Sequence, residues 1–164
     1  MAISNLMCGF GARDFDQDYF TKIEPKSENL AGTYVPAKES ATLIKETGHY
    51  NLKDISISLF SDGTFEMKNM PDWWMTTGEN FGESNGGSDS GEGRWSIHKS
   101  SLDSSWQIEF EFKSGTFNSR EDLSDGFFTT KDMGGDQPPY TLWFYVGDPD
   151  RGRVMVFEQI VEKP

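Results

Sequence analysis

The sequence predicts an all-β domain, an antiparallel β-barrel of about seven to nine strands preceded by a polar N-terminal arm. Three observations carry this. Apolar and polar residues alternate on both sides of Ser61-Asp62-Gly63, and they alternate again over 94–98 and 106–112. The runs 140–146 and 153–161 are rich in β-branched and aromatic residues. No stretch sustains the helical period over several turns, and closing the sheet removes the exposed edges that so many short strands otherwise leave.

Residues 1–29 form the arm, with charges alternating around Phe10, Phe15, Tyr19, Phe20 and Ile23. The barrel domain follows over 30–164, opening with a strand over 30–36 that Pro36 stops. Residues 37–47 suit one or two helical turns or an irregular connector ended by Gly48. In the next hairpin, a two-residue Asp-Gly turn would set Leu59 against Glu66 and mix polar with apolar on one face. A three-residue loop instead pairs Leu59 with Phe65 and Ile57 with Met67, and the buried face fixes that register. The loop is then a type I turn with a bulge and Gly63 at positive φ, where any side chain costs on the order of 1 kcal/mol.

Residues 78–93 carry six glycines among serines and acids, and the small apolar area predicts a mobile Gly/Ser-rich loop. It is no phosphate cradle, because Arg94-Trp95 stands where a Lys-Ser/Thr pair is required. The second hairpin brings Trp95 opposite Phe110 and Ile97 opposite Ile108, with the loop over 100–105. Residues 114–126 read as a turn-rich link, and Phe127-Phe128 open a short strand before the Gly134-Gly135 break. Over 140–146 both faces are apolar, Leu142 and Phe144 on one and Trp143 and Tyr145 on the other. Something must therefore cover the outer face, and the arm is the nearest candidate.

Composition narrows the function. The chain has 164 residues, with 27 Asp plus Glu against 15 Lys plus Arg and a net charge of -12. That balance argues against nucleic acid, which wants a concentrated positive surface. The aromatic share of 14%, with 13 Phe, 5 Trp and 5 Tyr, predicts a ring-rich core. Cys8 is the one cysteine, which excludes an intramolecular disulfide and is compatible with a cytoplasmic location. The first twenty residues lack the apolar run of a signal peptide, and no membrane span is expected.

Candidate chemistry is sparse. His49 and His98 lie far apart without metal-ligand spacing, Asp14, Asp16 and Asp18 lack the glycine and glutamate of a calcium loop, and no serine sits in a nucleophile elbow. Glu109 and Glu111 share an open outer face rather than the enclosed setting that acid catalysis by a carboxyl pair requires. Neither catalysis, a metal nor a cofactor is expected. The residues suited to binding are Trp73, Trp74, Trp95, Trp106 and Trp143, with the adjacent pair Trp73-Trp74 suited to a barrel mouth because pockets favour aromatic walls.

The order Gly32-x-Tyr34, Asp62-Gly63-Thr64-Phe65, Gly93-x-Trp95 and the closing run over 140–144 resembles small bacterial lipocalin-like, or calycin-like, domains over about residues 30–161. That resemblance implies a non-enzymatic binding module that holds a small apolar ligand inside the barrel. The alternative is an acidic immunity- or inhibitor-type protein that captures a basic protein partner.

Overall fold

The computed structural model describes residues 19–46, 48, 54–72, 87–116, 126–146 and 153–161. They form an antiparallel closed barrel of strands in the order β1-β2-β3-β4-β5-β6-β7-β8. The strands are β1 (Gly32–Pro36), β2 (Ser56–Leu59), β3 (Thr64–Pro71), β4 (Ser88–Lys99), β5 (Trp106–Thr116), β6 (Phe128–Gly134), β7 (Thr141–Tyr145) and β8 (Val154–Gln159). Two short helices, α1 (Ser27–Leu30) and α2 (Ser40–Glu46), flank β1. The architecture is calycin-like.

The first hairpin takes the register set by its apolar face, with Ile57 opposite Met67 and Leu59 opposite Phe65. Gly63 has φ +81°, and the Asp62 carboxylate locks the turn by accepting from the Thr64 amide at 2.9 Å and its hydroxyl at 2.6 Å. In the second hairpin Trp95 faces Phe110 and Ile97 faces Ile108, as the alternation requires. β1 closes on β8 through Tyr34 opposite Gln159 and Pro36 opposite Phe157. Pro36 has no amide proton to continue that ladder. Ser40 of α2 takes over, its Oγ donating to the Val156 carbonyl and accepting from the Val156 amide at 2.8 Å.

The glycine-rich segment corrects the expectation of a mobile loop over 78–93, because Ser88 to Gly93 belong to β4. Its glycines answer a steric demand. A Cβ on Gly91 would stand 2.8 Å from the Phe112 ring, and one on Gly93 would overlap the Glu111 carbonyl. A bulge in β5 between the partners of Glu92 and Gly93 brings that backbone close. Without a side chain at 93, the flanking Phe65 and Phe112 rings meet edge to face at 5.0 Å, and Phe65 also meets Phe110 at 4.9 Å. Residues 78–86 lie outside the described residues. The link expected over 114–126 is likewise shorter, since β5 runs on to Thr116.

Phe144 and Phe157 pack edge to face at 5.1 Å on the opposite wall, and Tyr34, Ile57, Met67, Ile108, Met133, Leu142 and Met155 complete a continuous apolar core. One end of the barrel gathers the β2–β3, β4–β5 and β6–β7 connections, and the N-terminal segment crosses it. Phe20 bridges to Gly134, Thr21 N donates to the Met133 carbonyl at 2.9 Å, and Trp106 N donates to the Thr21 carbonyl at 2.7 Å. Leu30 of α1 is fully buried in the core and its carbonyl accepts from the Tyr34 hydroxyl at 2.9 Å. Gln159 Nε2 ties down both Asn29 and Ala31 by their carbonyls. This is the strap end. The β1–β2, β3–β4, β5–β6 and β7–β8 connections leave from the far end, where α2 covers the β8 side and inserts Ile44 into the core.

Candidate functional site

The structure places the predicted tryptophans in different surroundings. Trp95 faces the interior, is 7% exposed, and its indole nitrogen donates to the Phe60 carbonyl at 3.0 Å. Trp106 is half-buried where β5 begins at the strap end. Trp143 stands on the outer face of β7 rather than in the interior, because its neighbours Leu142 and Phe144 take the inward positions. Phe20 covers it edge to face at 5.5 Å, so the arm does shield the outer face of β7 as the two-sided apolar pattern requires. The Trp143 indole nitrogen donates to Thr141 Oγ1 at 2.9 Å. Trp73 and Trp74 lie outside the described residues, as do Cys8, His49 and the Asp14-Asp16-Asp18 triplet.

Asp72, which immediately precedes the tryptophan pair, is buried. Its amide donates to the Gly87 carbonyl and its Oδ2 accepts from the Gly87 amide, both at 3.2 Å. That reciprocal pair pins together the two ends of the β3–β4 connection at the far end of the barrel.

Two ionisable side chains on the inner wall escaped the sequence reading. Asp89 of β4 is fully buried on the same face as Gly91, Gly93 and Trp95. The assignment of 88–93 to a loop hid it. Lys131 of β6 pairs with Ile108 and shares the face of Thr129 and Met133, which places it inside the barrel. Its Nζ lies 5.4 Å from the centre of the Phe144 ring, on the side of the ring face that attracts a cation. The run Thr129-Thr130-Lys131-Asp132 is polar on both faces, which concealed an inward residue. Counting back by twos from Met133 would have exposed it.

Burial pushes the Lys131 amine down to about 8, with the Asp132 carboxylate opposing that shift from the outer side of the strand. Asp132 itself is held outside by Gln107 Nε2 at 2.7 Å and the Tyr145 hydroxyl at 2.9 Å. Burial and the Asp132 carboxylate together raise the Tyr145 pKa. His98 occupies the outer face opposite Gln107, and Glu109 and Glu111 occupy it beside Ser96 and Arg94. Among the described residues, no group of three His, Cys, Asp or Glu is placed to hold a metal ion.

The inner wall is unevenly closed. Met70 of β3, Phe144 of β7, Val146 just beyond β7 and Met155 of β8 are buried up to the far end. Along β4 and β6, the inward Gly91, Thr129 and Lys131 keep part of their surface accessible. Lys131 is strongly desolvated although part of the residue stays accessible, and β7 pairs with β6 only from Asp132 onward, which leaves the edge of β6 beside Lys131 without a strand partner. Chemically, this is an aromatic and aliphatic interior with the Lys131 side chain on one wall.

No protein-family model, curated protein or solved structure matches this chain, so the barrel's own topology and inner wall carry the functional argument.

Proposed function

We propose that this protein is a non-enzymatic binding module that takes a small apolar molecule into the barrel from the far end. The observation that supports it is the contrast between the two ends. The strap end is filled by Leu30 and crossed by Phe20 and Thr21, whereas inward-facing Thr129 and Lys131 remain partly reachable along the β4–β6 wall. The aromatic walls match an apolar guest. The pair Trp73-Trp74, in the connection that Asp72 and Gly87 pin at the far end, suits contact with that guest.

The competing reading, capture of a basic protein, asks for one coherent acidic face. The outer face of β3 to β5 sets Glu66 opposite Glu92, but Lys68 pairs with Glu66 at 2.9 Å and Arg94 stands opposite Glu111. Interleaved signs favour solubility over a docking surface.

A tryptophan-fluorescence titration with fatty acids, retinoids and haem tests the proposal, because Trp95 lies on the inner wall. A saturable change that Trp95→Phe attenuates is expected for at least one apolar class. A flat response to all three classes refutes interior binding.

A further inference from the structure

At the strap end the β5–β6 ladder stops at Gln107–Asp132, and one step further the Trp106 amide and the Met133 carbonyl both bond to Thr21. Thr21 thus stands in a slot between the two strands, as an added strand residue would. The slot also reads side chains. The Gly135 carbonyl accepts from Thr21 Oγ1 at 2.7 Å, Trp143 takes the edge of Phe20, and the Asp136 carboxylate accepts from the Lys22 amide at 2.7 Å and the Ile23 amide at 3.3 Å. Its floor is Gly134, where a Cβ would stand 2.7 Å from the Trp143 indole nitrogen. We propose that two copies of this chain pair through their strap ends by exchanging residues 19–23, each inserting Phe20 and Thr21 into the slot of the other.

Three observations favour a second copy as the occupant. The slot already fits this sequence, so exchange needs no new recognition surface, only a hinge. Residues 24–26 are all that join the exchanged segment to α1, and short hinges of this kind invite swapping. The exposed apolar side chains are gathered where such a pair would meet. Among the described residues, Tyr19, Ile23, Phe60, Leu102, Ile160 and Val161 are exposed at the strap end, whereas Phe128 is the one large apolar side chain exposed at the other. Charge agrees with a two-fold contact. Lys22, Lys26 and Lys99 stand at this end with Glu24, Asp103 and Asp136, so each cation can meet a carboxylate of the other copy, while nucleic acid or an anionic bilayer would require one sign. Within one copy the tethered segment competes for its own slot at about millimolar effective concentration. The closed single chain therefore prevails in dilute solution, and pairing rises with concentration.

The test measures the mass of the full chain in solution by light scattering up to about 1 mM, with two complementary variants. Phe20→Ala keeps the slot and spoils the segment; Trp143→Ala keeps the segment and spoils the slot, and the exposed Asp136→Ala does the same without touching a packed ring. Near-UV circular dichroism checks that each variant is folded. Each alone should stay a single chain. Their mixture should pair at concentrations on the order of ten times lower than the unaltered chain needs, because the intact segment then finds its only good slot on the other copy. Leu102→Lys, at a side chain 96% exposed and so free of any role in the core, should weaken pairing of the unaltered chain about tenfold. A single chain at every concentration together with a mixture that never pairs overturns the proposal. Pairing that persists in each variant alone rejects exchange, and pairing indifferent to Leu102→Lys places the contact elsewhere and rejects the strap-end interface.

Discussion

A methyl group added at Gly93 should be among the most damaging small substitutions in this barrel. Its Cβ would overlap the Glu111 carbonyl and stand 2.9 Å from the Glu111 carbonyl carbon and 3.0 Å from the Phe112 Cα. All three obstacles are backbone, so no rotamer change relieves them. Overpacking of this kind costs about 1–3 kcal/mol. Parting β4 from β5 also weakens the two edge-to-face contacts of Phe65, each worth about 0.5–1.5 kcal/mol, for a total of roughly 3 kcal/mol. With a urea slope of about 2 kcal/mol/M, the unfolding midpoint should fall by about 1.5 M. Gly91→Ala provides the internal control, because its principal obstacle is the Phe112 ring at 2.8 Å, a side chain that can be shortened. Phe112→Leu should therefore recover about 1 kcal/mol of the Gly91→Ala loss in a double-mutant cycle and recover nothing of the Gly93→Ala loss. A wild-type midpoint for Gly93→Ala, or its rescue by Phe112→Leu, would refute the account of these glycines as steric necessities.

Gly63→Ala meets open space beyond the Trp95 carbonyl at 3.9 Å, so its penalty comes from φ +81° alone and should be about 1 kcal/mol, with Gly63→Asn milder; equal losses for the two variants in urea melts would contradict this. Phe20→Ala strips the cover from Trp143 and should cost about 3 kcal/mol while shifting tryptophan emission to the red, and an unchanged spectrum would mean that the strap does not shield that ring. Lys131 gives stability a pH dependence of definite sign. Its folded pKa of about 8 lies below the ordinary 10.5, so the unfolded state binds more protons between those values. Stability should rise through that window by up to about 3 kcal/mol. Above it the raised pKa values of Tyr34 and Tyr145 work the other way, because their folded forms hold protons that the unfolded chain releases. Urea midpoints measured against pH should lose the rise in Lys131→Met, and a rise that survives the substitution would assign it to another group.

Much of the barrel was legible because strand faces alternate. The pairs Ile57–Met67, Leu59–Phe65, Trp95–Phe110 and Ile97–Ile108 follow from keeping apolar residues on one side, and Gly63 follows from the loop length that this register demands. The need for cover over β7 was equally visible in Trp143, and Phe20 supplies it. What stayed hidden depends on partners distant in sequence. Gly91 and Gly93 look like flexible chain until Phe112 and Glu111 are seen beside them, and with that segment read as loop the inward Asp89 vanished too. Lys131 was obscured by a strand polar on both sides, where only the pairing with Ile108 fixes which residues turn inward.

The seam between β1 and β8 joins the first of the described strands to the last, at Tyr34–Gln159, Val35–Glu158 and Pro36–Phe157. On the ribosome, then, the cylinder has no way to shut until β8 has emerged, and until that moment β1 and β7 present unpaired rims. A nascent or truncated chain lacking the last strand is an open sheet that invites sticking to its own kind, so premature termination anywhere before Val154 should yield inclusion bodies rather than a smaller soluble protein.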